Sequence, residues 1–178
     1  AMHHEQDIRH MGGLWRKIPF TYATMFVGTL ALTGFPFTAG YYSKDAIIEA
    51  ADAANGAAAS YGFAMTVAAA ALTSFYSWRL MFKTFHGAPH DRHHYEAAHE
   101  SPIVMLVPLA LLAIGSIGAG WPFLHLFTGD GAVEFFRDSL KFGPDNHILH
   151  DMHSLHWSIP WIPTVMMALG FLVAYQFY

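Results

Sequence analysis

The sequence has 178 residues, no cysteine, 54% hydrophobic and only 12% charged residues, and a net charge of −4. The charged share is about half that of an ordinary globular chain, and no Asp, Glu, Lys or Arg occurs in residues 18–43, 53–78, 101–129 or 152–178. Disulfide scaffolds, zinc ribbons and thiol catalysis are excluded; a soluble Ala-rich helical bundle would need polar residues every few positions, which these stretches lack.

Each charge-free stretch holds at least 26 residues, and a bilayer-spanning helix needs roughly 20 apolar ones. The fold class expected is therefore all-α, a polytopic transmembrane bundle with about four spanning segments. Mean hydropathy is only +0.29, diluted by Ala, Gly, His and hydroxyl residues, as suits helices that pack on one another.

Residues 1–17 open with AMHHEQDIRH, which lacks the basic region and short apolar core of a signal peptide; the chain ends inside the apolar run GFLVAYQFY. Both ends read as cut, so an internal piece of a longer membrane chain is expected. Segment one, residues 18–52, reads as a broken helix. Pro36 removes a donor and Gly34 loosens the backbone, placing the break near 34–40. Such breaks are tolerated in membranes where protein or a water-filled cavity satisfies the freed backbone, although an ordinary proline kink has the same local signature.

Segment two, residues 57–85, carries Gly62, Thr66, Ala70 and Ser74 at four-residue spacing, a stripe that lets another helix approach. Arg79 and Lys83 near its end read as snorkelling to headgroups. Residues 86–100 form a His-rich loop, 101–121 a third span, 122–157 a loop with an amphipathic helix, and 158–178 a fourth span. In AVEFFRDSLKF, Val133, Phe136 and Leu140 fall opposite Glu134, Arg137, Asp138 and Lys141, which suits a helix on the membrane surface. Trp121, Trp157 and Trp161 fall where an interfacial aromatic belt belongs.

Lys and Arg number three in residues 1–17, one in 44–56, three in 79–100 and two in 130–151. The first and third pieces are thus expected on the cytoplasmic side, and Lys44 towards the opposite side.

On a helix, Lys44 shares its face with Gly40, Tyr41, Ile47 and Ile48, whereas Asp45 points about 100° away and shares a stripe with Glu49. A lysine on an apolar face is desolvated, and a movable acid reverses the effect on its proton, which is the chemistry of a proton relay. A helix-end lysine that snorkels while its acids stay in water fits the same pattern. The preceding break favours the relay, since broken helices tend to flank ion pathways.

Of the 13 histidines, His86, His90, His93, His94 and His99 lie in one loop, and His147, His150, His153 and His156 recur every third residue. Histidine tracts bind zinc, nickel or copper, so a metal-binding membrane scaffold is one reading. Every-third spacing, however, spreads the rings over half a helix turn, and solvated loop histidines are the simpler reading. No phosphate-loop, dinucleotide or G-x-S-x-G motif occurs, nor a basic stripe for nucleic acid; no metal or cofactor site is expected in this chain.

The runs HHEQDIRHMGGLWRKIP (3–19), GFPFTAGYYSKDAI (34–47) and TSFYSWRLMFKTFHG (73–87) together resemble the largest antiporter-like membrane subunit of proton-pumping NADH:quinone oxidoreductase (complex I), called subunit L in bacteria. The likeness is strong to residue 87 and mainly topological beyond segment three. Related multisubunit sodium/proton antiporters share the G-G-L and S-K-[DE] but vary the H-E-Q portion. The resemblance implies a non-redox translocase subunit of the respiratory chain in a bacterial cytoplasmic or mitochondrial inner membrane. Its partners would be other complex I membrane subunits and its antiporter-like sisters, with FMN and iron–sulfur clusters held by partner subunits. It also implies that Lys44 is the last protonatable lysine of a channel, with Asp45 beside it and Glu49 towards the exit.

Overall fold

The computed structural model describes residues 5–54, 56–128, 131–139, 148–152 and 156–178, and all regular structure among them is helical. After a 3-10 turn at Leu14–Arg16 come α1 (Pro19–Thr33), α2 (Ala39–Ala53) and α3 (Ala57–Phe85). They are followed by α4 (Arg92–Ala97), α5 (Ile103–Gly118), α6 (Gly120–Thr128), α7 (Gly131–Phe136), α8 (Ile148–Asp151) and α9 (Trp161–Phe177).

The apolar gaps become helices of unequal length. Among the described residues, α3 is the single helix long and apolar enough to cross a bilayer unaided; its 29 residues span about 43 Å. The first segment divides into α1 and α2 of 15 residues each. The third, expected as one helix over 101–121, instead bends by 63° between α5 and α6. Its Gly118-Ala119-Gly120 run supplies the weak point, and Gly120 lies close against Tyr42 and Ala39 of α2. α9 is apolar but has only 17 residues.

The amphipathic helix expected around Val133 is correspondingly short. It ends at Phe136, with Leu140 and Lys141 outside the described residues. Ala132, rather than Val133, takes the buried position, and Val133 is 59% exposed. Phe135 and Phe136 instead fold onto Phe127 of α6, at ring separations of 5.1 and 6.1 Å.

The core lies at one end of the bundle, where α1 begins and α3 and α9 finish. Leu14, Ile18, Trp78, Met81, Phe85, Ala98 and Ala174 form it. Trp78 meets Phe171 and Phe26 edge-on at 4.8 and 5.8 Å, the geometry aromatic quadrupoles prefer. α3 and α9 are the most intimately packed pair. A Cβ on Gly170 would sit 2.5 Å from the Ala71 carbonyl oxygen and 2.7 Å from Ser74 Cβ. The Ser74 hydroxyl donates to the Met167 carbonyl at 2.7 Å. The small-residue stripe therefore works in its second half: Ala70 and Ser74 are buried, whereas Gly62 faces open space.

The N-terminus of α1 has no side-chain cap from its own Ile18. Glu100, some 80 residues away, supplies one. Its carboxylate accepts from the N–H groups of Phe20 (2.9 Å) and Thr21 (3.3 Å) and from the Thr21 hydroxyl. These are donors that a helix start leaves orphaned, at the end where the helix dipole favours an anion. Burial works against the charge, but the bonds from the Thr21 hydroxyl and the N–H groups of Phe20, Thr21 and Ser101 outweigh it and hold the Glu100 carboxyl below the usual glutamate value.

Since the folded value is depressed, the cap's contribution is complete above the free carboxyl's value and fades as pH falls through the folded one. Glu100→Gln should lower the thermal midpoint of the purified full-length protein at neutral pH, and the gap from wild type should close on acidification. A gap independent of pH would refute an ionic cap. Gly170→Ala should cost about 1–3 kcal/mol by overpacking, read as a lowered midpoint in the same measurement.

Candidate functional site

α1 ends in a Schellman closure. Gly34 adopts φ 83°, a left-handed conformation that suits glycine; its N–H reaches the Ala31 carbonyl at 3.2 Å and the Phe35 N–H reaches Leu30 at 2.9 Å. These two bonds satisfy carbonyls that the helix end would otherwise strand. The five residues 34–38 then turn the chain into α2. Phe37 sits at φ 69° with 79% of its surface exposed. α2 starts pressed against the end of α1, for Gly40 faces the Ala31 carbonyl so closely that any Cβ there would collide with it.

Lys44 lies one turn beyond Gly40. Helical side chains lean towards the N-terminus, and the Lys44 stem folds back over Gly34, its Cδ 3.3 Å from where a Gly34 Cβ would be. The ammonium nitrogen is buried and has no hydrogen-bond partner. It adjoins a cavity of about 170 Å³ lined by Lys44, Ile47, Ile48, Thr66, Ala69, Ala70 and Thr73. A buried charge without a partner is costly, so the amine's charge state depends on what reaches it.

Asp45 is only 9% exposed, and its Oδ1 is buried without a hydrogen-bond partner. It forms no ion pair with Lys44 and lies within electrostatic reach of Tyr41 and Glu49. Glu49 is half-buried. The helical wheel correctly separates the lysine from the acids, but the acidic stripe is not the solvated face that a snorkelling lysine would leave behind. Thr73 could not be found by spacing on α2. It emerges once α2 and α3 are seen as a hairpin with a short connection. A larger cleft of about 250 Å³ between α2 and α6 includes Tyr42, Ser43, Phe123 and Phe127.

At the other end, histidines fasten two loops together. His94 Nδ1 is 2.8 Å from Asp91 and its Nε2 3.8 Å from Glu5. His10 Nδ1 lies 3.2 Å from Glu5, and His90 Nδ1 is 2.7 Å from the Met11 carbonyl. The His94 ring, with the N–H groups of His93 and His94, holds the Asp91 carboxyl below its usual range despite slight desolvation. Among the described residues, no His, Asp or Glu trio has metal-binding geometry. His147, the His150 side chain and His153 lie outside them. Arg79 and Lys83, expected to snorkel, approach the Tyr178 ring at 5.4 and 5.1 Å, and Arg79 Nε is buried without a partner.

Comparison with known proteins gives a consistent outcome. Residues 1–74 match the family described as NADH:quinone oxidoreductase/Mrp antiporter, transmembrane. NADH-quinone oxidoreductase subunit L of Rhodobacter capsulatus is 56% identical over 149 residues, covering 77% of this chain and 20% of the relative. NADH-ubiquinone oxidoreductase chain 5 of Marchantia polymorpha is 40% identical, covering 99% of the chain and 26% of the relative. The Arabidopsis thaliana chain 5 is 38% identical with the same two coverages. The chain thus spans a fifth to a quarter of the length of the curated relatives it matches. It belongs to the subunit L/chain 5 family of antiporter-like helical membrane proteins.

Proposed function

We propose that this chain is part of a proton-translocating membrane subunit of NADH:quinone oxidoreductase and that Lys44 carries the proton. The observation that supports this most is the buried, unpartnered Lys44 nitrogen beside the break between α1 and α2. In this reading Lys44 receives a proton from groups earlier in the full-length protein. It releases the proton towards the outer side past Asp45, Glu49 and water near the break. Electron transfer from NADH to quinone takes place in partner subunits that hold FMN and iron–sulfur clusters, and this subunit has no redox role. Its partners are the other membrane subunits, including the sister antiporter-like ones.

The accompanying topology has four crossings, the first broken. Residues 1–17 and 86–100 lie on the cytoplasmic side, 122–157 on the outer side, and α7 rests near the surface. A bacterial cytoplasmic membrane is the favoured location, because the subunit L relative has the higher identity; a mitochondrial inner membrane is the alternative. The matched family also includes the Mrp antiporters, so a multisubunit sodium/proton antiporter is the second reading. Failure to co-purify with flavin and iron–sulfur subunits would favour it.

Lys44→Met or Lys44→Ala in the full-length protein should lower proton translocation per electron in reconstituted vesicles while assembly and electron transfer largely persist. A wild-type stoichiometry would remove Lys44 from the role. Gly34→Ala places a side chain in left-handed backbone, at about 1–2 kcal/mol, and pushes on the Lys44 stem. It should reduce pumping in the same assay even when the complex assembles at normal yield.

A further inference from the structure

The geometry of the α2–α3 hairpin assigns a further role at this site. We infer that Thr66 and Thr73 position a short chain of water molecules in the cavity beside Lys44, and that this chain carries the lysine's proton; the inference rests on the proposed role of Lys44. α2 ends at Ala53 and α3 begins at Ala57, so positions whose numbers sum to 110 lie at about the same height. Thr66 is thus level with Lys44. Thr73, two turns further along the same face of α3, is level with residue 37, inside the break. Both threonines line the cavity with Lys44, and Ala69 and Ala70 between them leave room.

The pocket is open on the side of the exposed Ile47, and its approximately 170 Å³ has room for several waters at about 30 Å³ each. Its length from Thr66 to Thr73 is about 10 Å. Lys44 and Thr66 supply polar groups at one height and Thr73 at the other, the remaining lining being apolar; each water completes its bonds with its neighbours in the chain. The Lys44 nitrogen, whose stem leans towards the break over Gly34, has no protein partner and can donate only to such water.

Thr66 also anchors the lysine end of the chain. Its hydroxyl proton is committed to the Phe63 carbonyl at 2.9 Å, so towards the cavity it presents lone pairs. A water between Lys44 and Thr66 then accepts from the ammonium and donates to Thr66. Thr73, level with the break, lies on the cytoplasmic side of Thr66 in the proposed topology, so the chain delivers the proton to Lys44. The water beside Thr73 takes a proton from the upstream relay groups of the full-length protein, each water passes one on, and the last breaks an O–H bond as the neutral amine gains an N–H bond. The waters and threonines end unchanged and the amine ends as an ammonium. Thr66 and Thr73 are positioning residues here.

The test uses the whole complex in sealed vesicles, measuring protons translocated per electron for Thr66→Val/Thr73→Val, Thr66→Ser/Thr73→Ser and Lys44→Met. Valine keeps the shape and removes the hydroxyl; serine keeps the hydroxyl. The expected result is that the valine pair loses the same share of translocation as Lys44→Met, and that the serine pair restores it. If Lys44→Met is impaired while the valine pair pumps like wild type, the threonine assignment is overturned and the lysine role stands. If the serine pair fails as the valine pair does, the threonines serve packing and the assignment is likewise overturned. If Lys44→Met itself pumps like wild type, the underlying reading falls.

Discussion

A helix that stops leaves its last carbonyls without intrahelical partners, and the arrangement around residues 34–44 follows from that constraint. The chain stops being helical inside an apolar segment, so its stranded carbonyls have to be answered locally. Gly34 answers two of them by turning left-handed and directing the N–H groups of residues 34 and 35 back at Ala31 and Leu30. The residue that lets the turn close also lacks a side chain. The space left over Gly34 is the space the Lys44 stem fills. Backbone closure and lysine placement are thus two effects of one glycine.

The opposite end of α1 solves the matching problem by long-range means. Its orphaned N–H groups turn to Glu100, on the loop that leads into α5. Around this point the aromatic core of Trp78, Phe26 and Phe171 closes the bundle, and His90 and His94 bind the loop before Leu14 to the loop after α3. Among the described histidines, His90 directs a ring nitrogen to a carbonyl and His94 directs both of its own to carboxylates. Polar groups left without hydrogen-bond partners occur at both ends: Lys44 and Asp45 near the break, and Ser77, Trp78, Arg79 and Thr84 on the core half of α3.

Charge-free length and helix punctuation made much of this legible beforehand. The 57–85 helix has the expected ends, and the break falls at 34–38 because Gly and Pro act through the local backbone. The separation of Lys44 from Asp45 is equally local, a matter of 100° per residue. What escaped was long-range. Nothing near Glu100 in sequence names Thr21 as its partner. The burial of Asp45 depends on neighbouring helices, not on its own stripe. The bend between α5 and α6 reflects contact with Tyr42 as much as the glycines themselves. Spacing after Gly131 suggests an amphipathic helix, but the six-residue helix that forms places Phe135 edge-on and Phe136 tilted against Phe127.

The unequal connections on either side of α2 divide the site mechanically. α2 is tied to α3 through a three-residue link but to α1 through five residues of irregular chain, while Glu100 pins the far end of α1. Lys44, Thr66 and Thr73 all belong to that hairpin, whereas Gly34, on which the lysine stem rests, belongs to α1. The contacts of Tyr22 with Phe85 and of Phe26 with Trp78 hold α3 against α1, so the amine's setting over Gly34 is fixed by aromatic packing at the far end of the bundle.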